Sequence, residues 1–555
     1  MDQQKSMRLL SDAKWYDLTQ SLSIFTPPWP GEMPLQVHFF KRLTGAFGGG
    51  QGANGQLIEW SNNTGTHLVG PRAFHSGSRA IADIPLTDLC GEGIVVDISD
   101  AVSDYSLYTP EMITERAKVK SGDILIINTG YHKYGYDQPD IYNDNAQGGV
   151  ENKEFGYFLR HPGPSPEFFQ WAIDMKLKMI AVDCGSAEHP MNTNLRYAHP
   201  REFEKAEAKL KETHDKSWDE CFPPDAYYEL THTTIPKAGL LFAESLGGQV
   251  KELSNKRAWV MIQPIPFMEV ESAWCRAVAL QAPENMDEQD FFTAMNETTM
   301  LDLTLPFSVQ TPQWANYEPL SVRYHKRVGG QYFGLGRNNA HCKASFHLAT
   351  HMDGEKHFHA GGKTIGETEF DKWFGPGSVA DISEHVSDTS VYTPEMIEKA
   401  VDVQKGDILF IKTGYHKYGW NSPDSNEFRY MIRHPGPSPD FAQWCIEKEI
   451  KWLAIDCVAM EHPMNTIQRL WHPKTFEEAN AKIKEVYGKE WDEVYPLDQY
   501  YQDMHLNLFP KGIIHAENIG NQIAQMESGR YFIGCFIQKG MELASCWARF
   551  VAFKD

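Results

Sequence analysis

The stretch Gly406-Asp-Ile-Leu-Phe-Ile-Lys-Thr-Gly-Tyr-His-Lys-Tyr-Gly419 occurs nearly unchanged 284 residues earlier, as Gly122-Asp-Ile-Leu-Ile-Ile-Asn-Thr-Gly-Tyr-His-Lys-Tyr-Gly135. Each is a short apolar run bounded by glycine, the pattern of a buried strand. The repetition extends outward. SDYSLYTPEM begins at Ser103 and SDTSVYTPEM at Ser387; RHPGPSP begins at Arg160 and at Arg433, an offset of 273. The change of offset places an insertion in the polar stretch 140–152 of the first copy, which has loop composition. Ala181-Val-Asp183-Cys answers Ala454-Ile-Asp456-Cys, and EHPMNT occurs at Glu188 and Glu461. The period is far too long for a solenoid, so one whole domain has been copied. Residues 1–285 and 296–555 are the expected domains. Asp302-Leu-Thr echoes Asp17-Leu-Thr at the start, Trp547–Phe553 echoes Trp274–Leu280 at the end, and the acidic run Pro283–Asp290 reads as linker.

Helix signals alternate with strands. Thr393-Pro394-Glu395 supplies an N-cap, a first-turn proline and an acid. Ser438-Pro439-Asp440 repeats that signal before the strand Lys451–Asp456, and Thr475–Val486 has helical composition with a solvated charged face. The fold class is therefore α/β. The Pro-Gly-Pro of RHPGPSP reads as a turn.

The 555 residues carry a net charge of −22, which excludes nucleic acid or an anionic membrane as the main partner. No run approaches the ~18 apolar residues of a membrane span, and the N-terminus lacks a signal-peptide core. Nine scattered cysteines read as reduced thiols in a cytoplasm, with Cys457 a buried strand thiol rather than a nucleophile.

The chemistry concentrates in Ser345-Phe-His347-Leu-Ala-Thr350-His351-Met-Asp353-Gly-Glu-Lys-His357-Phe-His359. His347, His351, Asp353 and His357 share parity, hence one strand face. A straight strand would separate His347 from His351 by roughly 13 Å, too far for one ion with bonds of about 2 Å. A helix would swing Asp353 away. A strand breaking into a tight turn at Asp353-Gly354 reconciles the two. Imidazole and carboxylate suit zinc, manganese or iron.

This run resembles the signature H-x-G-T-H-x-D-x-P-x-H of the cyclase-type metal-dependent hydrolases, which include bacterial kynurenine formamidase and isatin hydrolase. The resemblance implies metal ligands at His347, His351 and Asp353 and a general acid/base at His357. Ala349 and Glu355 stand where glycine and proline are usual, positions that by this resemblance set the bend rather than the ligation. The family also places a histidine and, twelve residues later, a glutamate at the metal. His505 and Glu517 have that spacing, with Pro510-Lys-Gly512 as the turn of a hairpin-like return; His515 is a competing candidate. The implied fold is a β-barrel-like mixed sheet packed by helices, in two tandem copies. Tyr415 and His434 are implied substrate contacts.

In the first copy His347 becomes Asn63, His351 stays as His67, Asp353 becomes Val69 and His357 becomes Ala73. His505 and Glu517 persist as His232 and Glu244, whereas His515 becomes Phe242, which favours His505 over His515. The first copy then reads as a degenerate pseudo-subunit of an internal pseudo-dimer, walling the pocket of the second; further homo-oligomerisation is compatible. An alternative is a weaker second site of His67, His75, His232 and Glu244. His132, His416 and Glu461-His462, present in both copies, read as scaffold, and Gly48–Gly50 and Gly329-Gly330 as loops near the site mouth.

The expected function is hydrolysis of a small cyclic amide, formamide or lactone by water activated on one or two Mn2+ or Zn2+ ions, with His357 carrying the proton. The same site could open a cyclic β-diketone by C–C hydrolysis. The rival from another class is a non-catalytic binding or scaffold protein.

Overall fold

The structure is a computed structural model that describes residues 5–43, 52–135, 156–230, 238–329 and 337–555. The apolar run within the opening repeat, Ile408–Lys412, is a fully buried strand entered from Gly406 and left through Gly414, both at positive φ. It lies parallel to Phe374–Asp381 on one side and to Trp452–Ile455 on the other. Strands buried on both faces have no solvent side to mark with alternation, which is why the run is continuously apolar.

Each copy closes into a mixed barrel of seven strands. In the second, the order is Ser545–Lys554, His351–Asp353, Ile514–Glu517, Trp452–Ile455, Ile408–Lys412, Phe374–Asp381 and Gly529–Ile537, which pairs back to Ser545–Lys554. Thr299–Asp302 flanks Ser545–Lys554 as an eighth strand. The first copy repeats this, from Ser272–Gln281 through His67–Val69, Leu241–Glu244, Met179–Val182, Ile124–Asn128 and Cys90–Asp97 to Arg257–Pro264, with Lys14–Asp17 as the flank. Helices pack outside, among them Pro394–Ala400, where Thr393 caps Met396 N as its composition predicts, and Pro473–Tyr487.

Three local expectations change. Ser438 does not cap a helix: the helix is Phe441–Glu447 with Asp440 at its N-cap. The Gly436–Pro437 pair is not a free turn but a short strand parallel to Val391–Tyr392. The acidic run expected as linker carries Asp287, whose carboxylate caps the helix Glu288–Glu297. That helix buries Phe291, Phe292 and Met295, and occupies the place that Lys5–Asp12 takes before the first barrel.

The copies are not strung loosely. A four-stranded sheet runs Ser321–Lys326, Asn339–Ser345, Gly55–Ser61 and Gln36–Lys41, two strands from each copy, with Ser345 paired to Leu57 and His341 to Ser61 across its centre. Beneath it Trp60, 1% exposed, lies 5.3 Å from Trp274 of its own copy and 5.2 Å from Trp547 of the other. This shared layer carries chain from each copy to the barrel mouth of the other. No described helix is long and apolar enough to cross a membrane.

Candidate metal centre

The antiparallel register of His351–Asp353 against Ile514–Glu517 sets Asp353 opposite His515 and His351 opposite Glu517. Residues two apart on a strand share a face, so these four side chains all enter the barrel. His347 is delivered by a bend at Ala349, which takes φ +55, matching Gly65 at φ +69 in the first copy. A second bend follows Asp353. Gly354 opens a short 3-10 turn over Glu355–His357 that returns His357 to the cluster; a Cβ on Gly354 would lie 2.9 Å from the Ala544 carbonyl oxygen. The tight turn expected at Asp353-Gly354 is thus one of two breaks, and the one that joins His347 to His351 is at Ala349, one of the two bend positions that the resemblance implies. His505 also arrives differently from the expected hairpin. It sits on the helix Asp503–Leu508, followed by a 3-10 turn and Gly512 at φ +73.

Asp353 is the hub, at 1% exposure. Its Oδ1 lies 3.2 Å from His347 Nδ1 and 3.5 Å from His351 Nε2; its Oδ2 lies 3.8 Å from both His505 Nε2 and His515 Nε2, and 3.9 Å from His357 Nε2. Glu517 reaches His351 Nε2 at 3.7 Å and His515 Nε2 at 3.4 Å. Two groups that could hold a cation overlap at this carboxylate: Asp353, His505, His515 and Glu517, and His347, Asp353 and His357.

Surrounding atoms fix the tautomers. His351 Nδ1 meets the Ala349 carbonyl at 2.9 Å and His357 Nδ1 meets the Asn54 carbonyl at 2.8 Å. A carbonyl only accepts, so each Nδ1 carries the proton and each Nε2 presents a lone pair to the cavity. His505 Nδ1 is held by Glu461 Oε1 at 2.8 Å, and Glu517 Oε1 accepts from Met460 N at 2.8 Å.

The donor set fits a divalent cation. Both oxygens of Asp353 and Nε2 of His351 are buried without a hydrogen-bond partner. Leaving them so costs several kcal/mol, which a bound cation offsets. His505 and His515 point Nε2 at each other across 3.1 Å, a spacing that needs a proton or a cation between the lone pairs. Burial lowers His347 well below the ordinary imidazole range and takes His357 down to about 4. Burial raises Asp353, but the charges of His347, His357 and His351 outweigh it and hold the carboxyl well below its usual range. Burial, then the neighbouring Asp353, raises Glu517 to about 8. For His505 burial opposes charge, and the nearby Asp353 carboxylate together with the Glu461 hydrogen bond overcome it, to about 10.

The cavity over this cluster is lined by His347, His351, Asp353, His357, Glu461, His505 and Glu517 of the second copy, with Trp314, Tyr317 and Phe358, and by Lys41 and Ala53 of the first. A family model described as "Putative cyclase" matches residues 16–189 and 301–462, more than half of the sequence and both copies. The chain belongs to the cyclase family. It is 25% identical over 134 residues to a kynurenine formamidase of Bacillus anthracis, covering 24% of this chain and 59% of that protein. Against the kynurenine formamidase of Geobacillus thermodenitrificans it is 30% identical over 88 residues, 16% of this chain and 39% of that one. The match thus spans less than two thirds of these relatives. Among solved structures, isatin hydrolase A from Ralstonia solanacearum is 15% identical, with a TM-score of 0.37 over 47% of this chain and 94% of its own. Isatin hydrolase A from Labrenzia aggregata is 16% identical, with a TM-score of 0.36 over 47% and 95%.

Within this cyclase-family chain the first copy has no counterpart cluster among the described residues. His67 and Glu244 remain, 3.3 Å apart, but Asn63, Val69 and Ala73 line the cavity where ligands would stand. His232 lies outside the described residues, as do Gly48–Gly50. His75 is not among the lining side chains. Arg337, reaching over from the second copy, enters this cavity and pairs with the buried Glu32 at 3.1 Å. A guanidinium thus brings positive charge into the degenerate barrel.

Tyr415 and His434 do not line the metal cavity. The Tyr415 hydroxyl donates to Asp388 at 2.5 Å, and His434 is fully buried with Nδ1 on the Pro435 carbonyl. His416 and His132 each bond a buried aspartate, Asp456 and Asp183, at 2.7 Å in the same way in both copies. His462 accepts from Met464 N while the adjacent Glu461 faces the opposite way to hold His505. Asn54 is the site residue that spacing passes over; Glu461, read as scaffold, holds His505, and His515, read as a rival to His505, joins it in the cluster. For His515 the signal was present, since it shares parity with Glu517.

Proposed function

We propose that the chain is a metal-dependent hydrolase of small carbonyl compounds, working through a single centre in the second copy. His347, His351, Asp353, His505 and Glu517 are the ligands in this reading, joined by His515, which shares their face. The carrying observation is the buried Asp353 carboxylate, with neither oxygen satisfied, encircled by five imidazoles. Because its two oxygens face different histidines, Asp353 is suited to be shared by two cation positions, and Mn2+ and Zn2+ both suit the donors. Such an ion, when bound, supplies Lewis acidity toward a carbonyl and a lower pKa for water.

The chain's own residues supply the rest. His357 is fixed by Asn54 with Nε2 open to the cavity, so it takes a proton from the attacking water there and returns it to the leaving nitrogen or oxygen. Glu461 keeps His505 in one orientation. Tyr317 packs its ring 4.9 Å from that of His347 and, with Trp314 and Phe358, excludes bulk water from the cluster. Residues 1–285 act as the pseudo-subunit that completes the wall, and residues 296–555 carry the centre.

The kynurenine formamidases and isatin hydrolases it resembles make formamides and cyclic amides the first substrates to try. The test is hydrolysis across a panel of formamides, cyclic amides, lactones and cyclic β-diketones. At least one class is turned over, with activity removed by a chelator and restored by Mn2+ or Zn2+. Failure of every class by protein carrying metal would overturn the hydrolase reading.

A further inference from the structure

The strand Gln36–Lys41 of the first copy ends at the mouth of the second copy's cavity, and Lys41 lines it. A bulge between Phe39 and Lys41 re-aims the last residue of that strand, as the matching bulge between Tyr324 and Lys326 does in the strand Ser321–Lys326. Lys41 and Lys326 are therefore equivalent lysines, each at the other copy's barrel. Their surroundings differ in one decisive way. Lys326 meets the buried carboxylate of Glu32 at 3.3 Å. The position equivalent to Glu32, counted along Thr26–Lys41 against Thr311–Lys326, is Tyr317. Lys41 Nζ accordingly stands 5.5 Å from the centre of the Tyr317 ring.

Among the described residues no carboxylate lies within ion-pair reach of Lys41, and burial alone sets its lowered pKa. The acids that line the same cavity are committed: Asp353 to the imidazoles, Glu461 to His505, and Glu517 to Met460 N and His515. A cation held half out of water beside a metal centre is costly unless something anionic completes it. In the degenerate site the chain supplies that anion itself; in the other it does not.

We propose that Lys41 is a specificity-determining residue, contributed by the first copy, that receives a carboxylate carried by the substrate close to its scissile carbonyl. The inference rests on the metal-hydrolase reading of the site and narrows it to anionic substrates. An aromatic face under the ammonium helps to orient it without neutralising it.

The test is titration calorimetry of the manganese- or zinc-loaded protein with succinate and with monomethyl succinate, which differ only in the second carboxylate. The wild type binds succinate at least tenfold more tightly. Lys41→Met removes that preference, whereas Lys41→Arg retains most of it. Equal affinities in the wild type, or a preference that survives in Lys41→Met, would overturn the assignment. Metal content measured on the same samples reports on the centre independently, so a protein that holds metal but shows no preference refutes Lys41 alone. The unfolding temperature of Lys41→Met, expected within a few degrees of wild type, separates lost recognition from lost fold.

Discussion

The ring of His357 and the backbone carbonyl of Asn54, 303 positions apart in sequence, are joined by a 2.8 Å hydrogen bond. Asn54 N returns a 2.8 Å bond to the His357 carbonyl, and its side-chain amide donates to the Lys356 carbonyl at 2.6 Å. The mirror image survives in the other barrel, where Asn338 bonds the carbonyls of Ala73 and Arg72 although the histidine is gone. The degenerate copy thus sets the tautomer of the histidine we assign to proton transfer. Asn54→Ala removes the side-chain bond that locks this contact, and kcat/KM falls about tenfold, the worth of one to two hydrogen bonds. Metal content stays at the wild-type level.

His357→Gln keeps a side chain of similar reach but cannot cycle a proton. Its kcat falls by about two to four orders of magnitude, with bound metal changed little, because the remaining ligands still surround Asp353. Steady-state kinetics paired with metal analysis checks this. Loss of the metal along with the activity would make His357 a ligand instead.

In the first copy, Arg337→Met leaves Glu32 buried with Lys326 but without its guanidinium. Breaking one arm of a buried charge cluster costs about 3 kcal/mol, read as a lower denaturant midpoint. Metal stoichiometry is unchanged, since Arg337 belongs to the degenerate barrel.

Much of this was legible in the residues, for a physical reason: duplication prints the same strand and cap signals twice, and ligand types cannot be disguised. Two things were not. Register between His351–Asp353 and Ile514–Glu517 decides that His515 joins the cluster, and register is a property of pairing that no single stretch carries. The first copy's part in the second site depends on the shared four-stranded sheet, where the end of the edge strand Gln36–Lys41 and the start of its inner neighbour Gly55–Ser61 bring Lys41 and Asn54 across. Spacing argued for a bend between His347 and His351 but put the turn at Asp353-Gly354; it was the resemblance, with glycine usual at position 349, that pointed to Ala349, which turns at φ +55.

Glu271 tests the electrostatics of the first copy apart from any metal. Burial pushes its carboxyl up to about 7, and Oε2 has no hydrogen-bond partner. A raised acid binds its proton more tightly folded than unfolded, so its contribution is whole below about pH 4.5 and is lost as pH rises through about 7. Each tenfold in acid strength is worth about 1.4 kcal/mol, so the swing is on the order of 3 kcal/mol. Glu271→Gln abolishes that swing: relative to wild type it gains stability between pH 5 and pH 8, measured by denaturant titration at each pH.

The central claim is that one barrel binds the catalytic cation and its twin does not. Anomalous diffraction at the manganese or zinc edge, from crystals of the active wild-type protein, tests this most directly. The account predicts density beside Asp353, among His351, His505 and Glu517, and none between Asn63 and Val69. Density beside His67 and Glu244, or an empty Asp353 cluster in a protein that still turns over substrate, would contradict it.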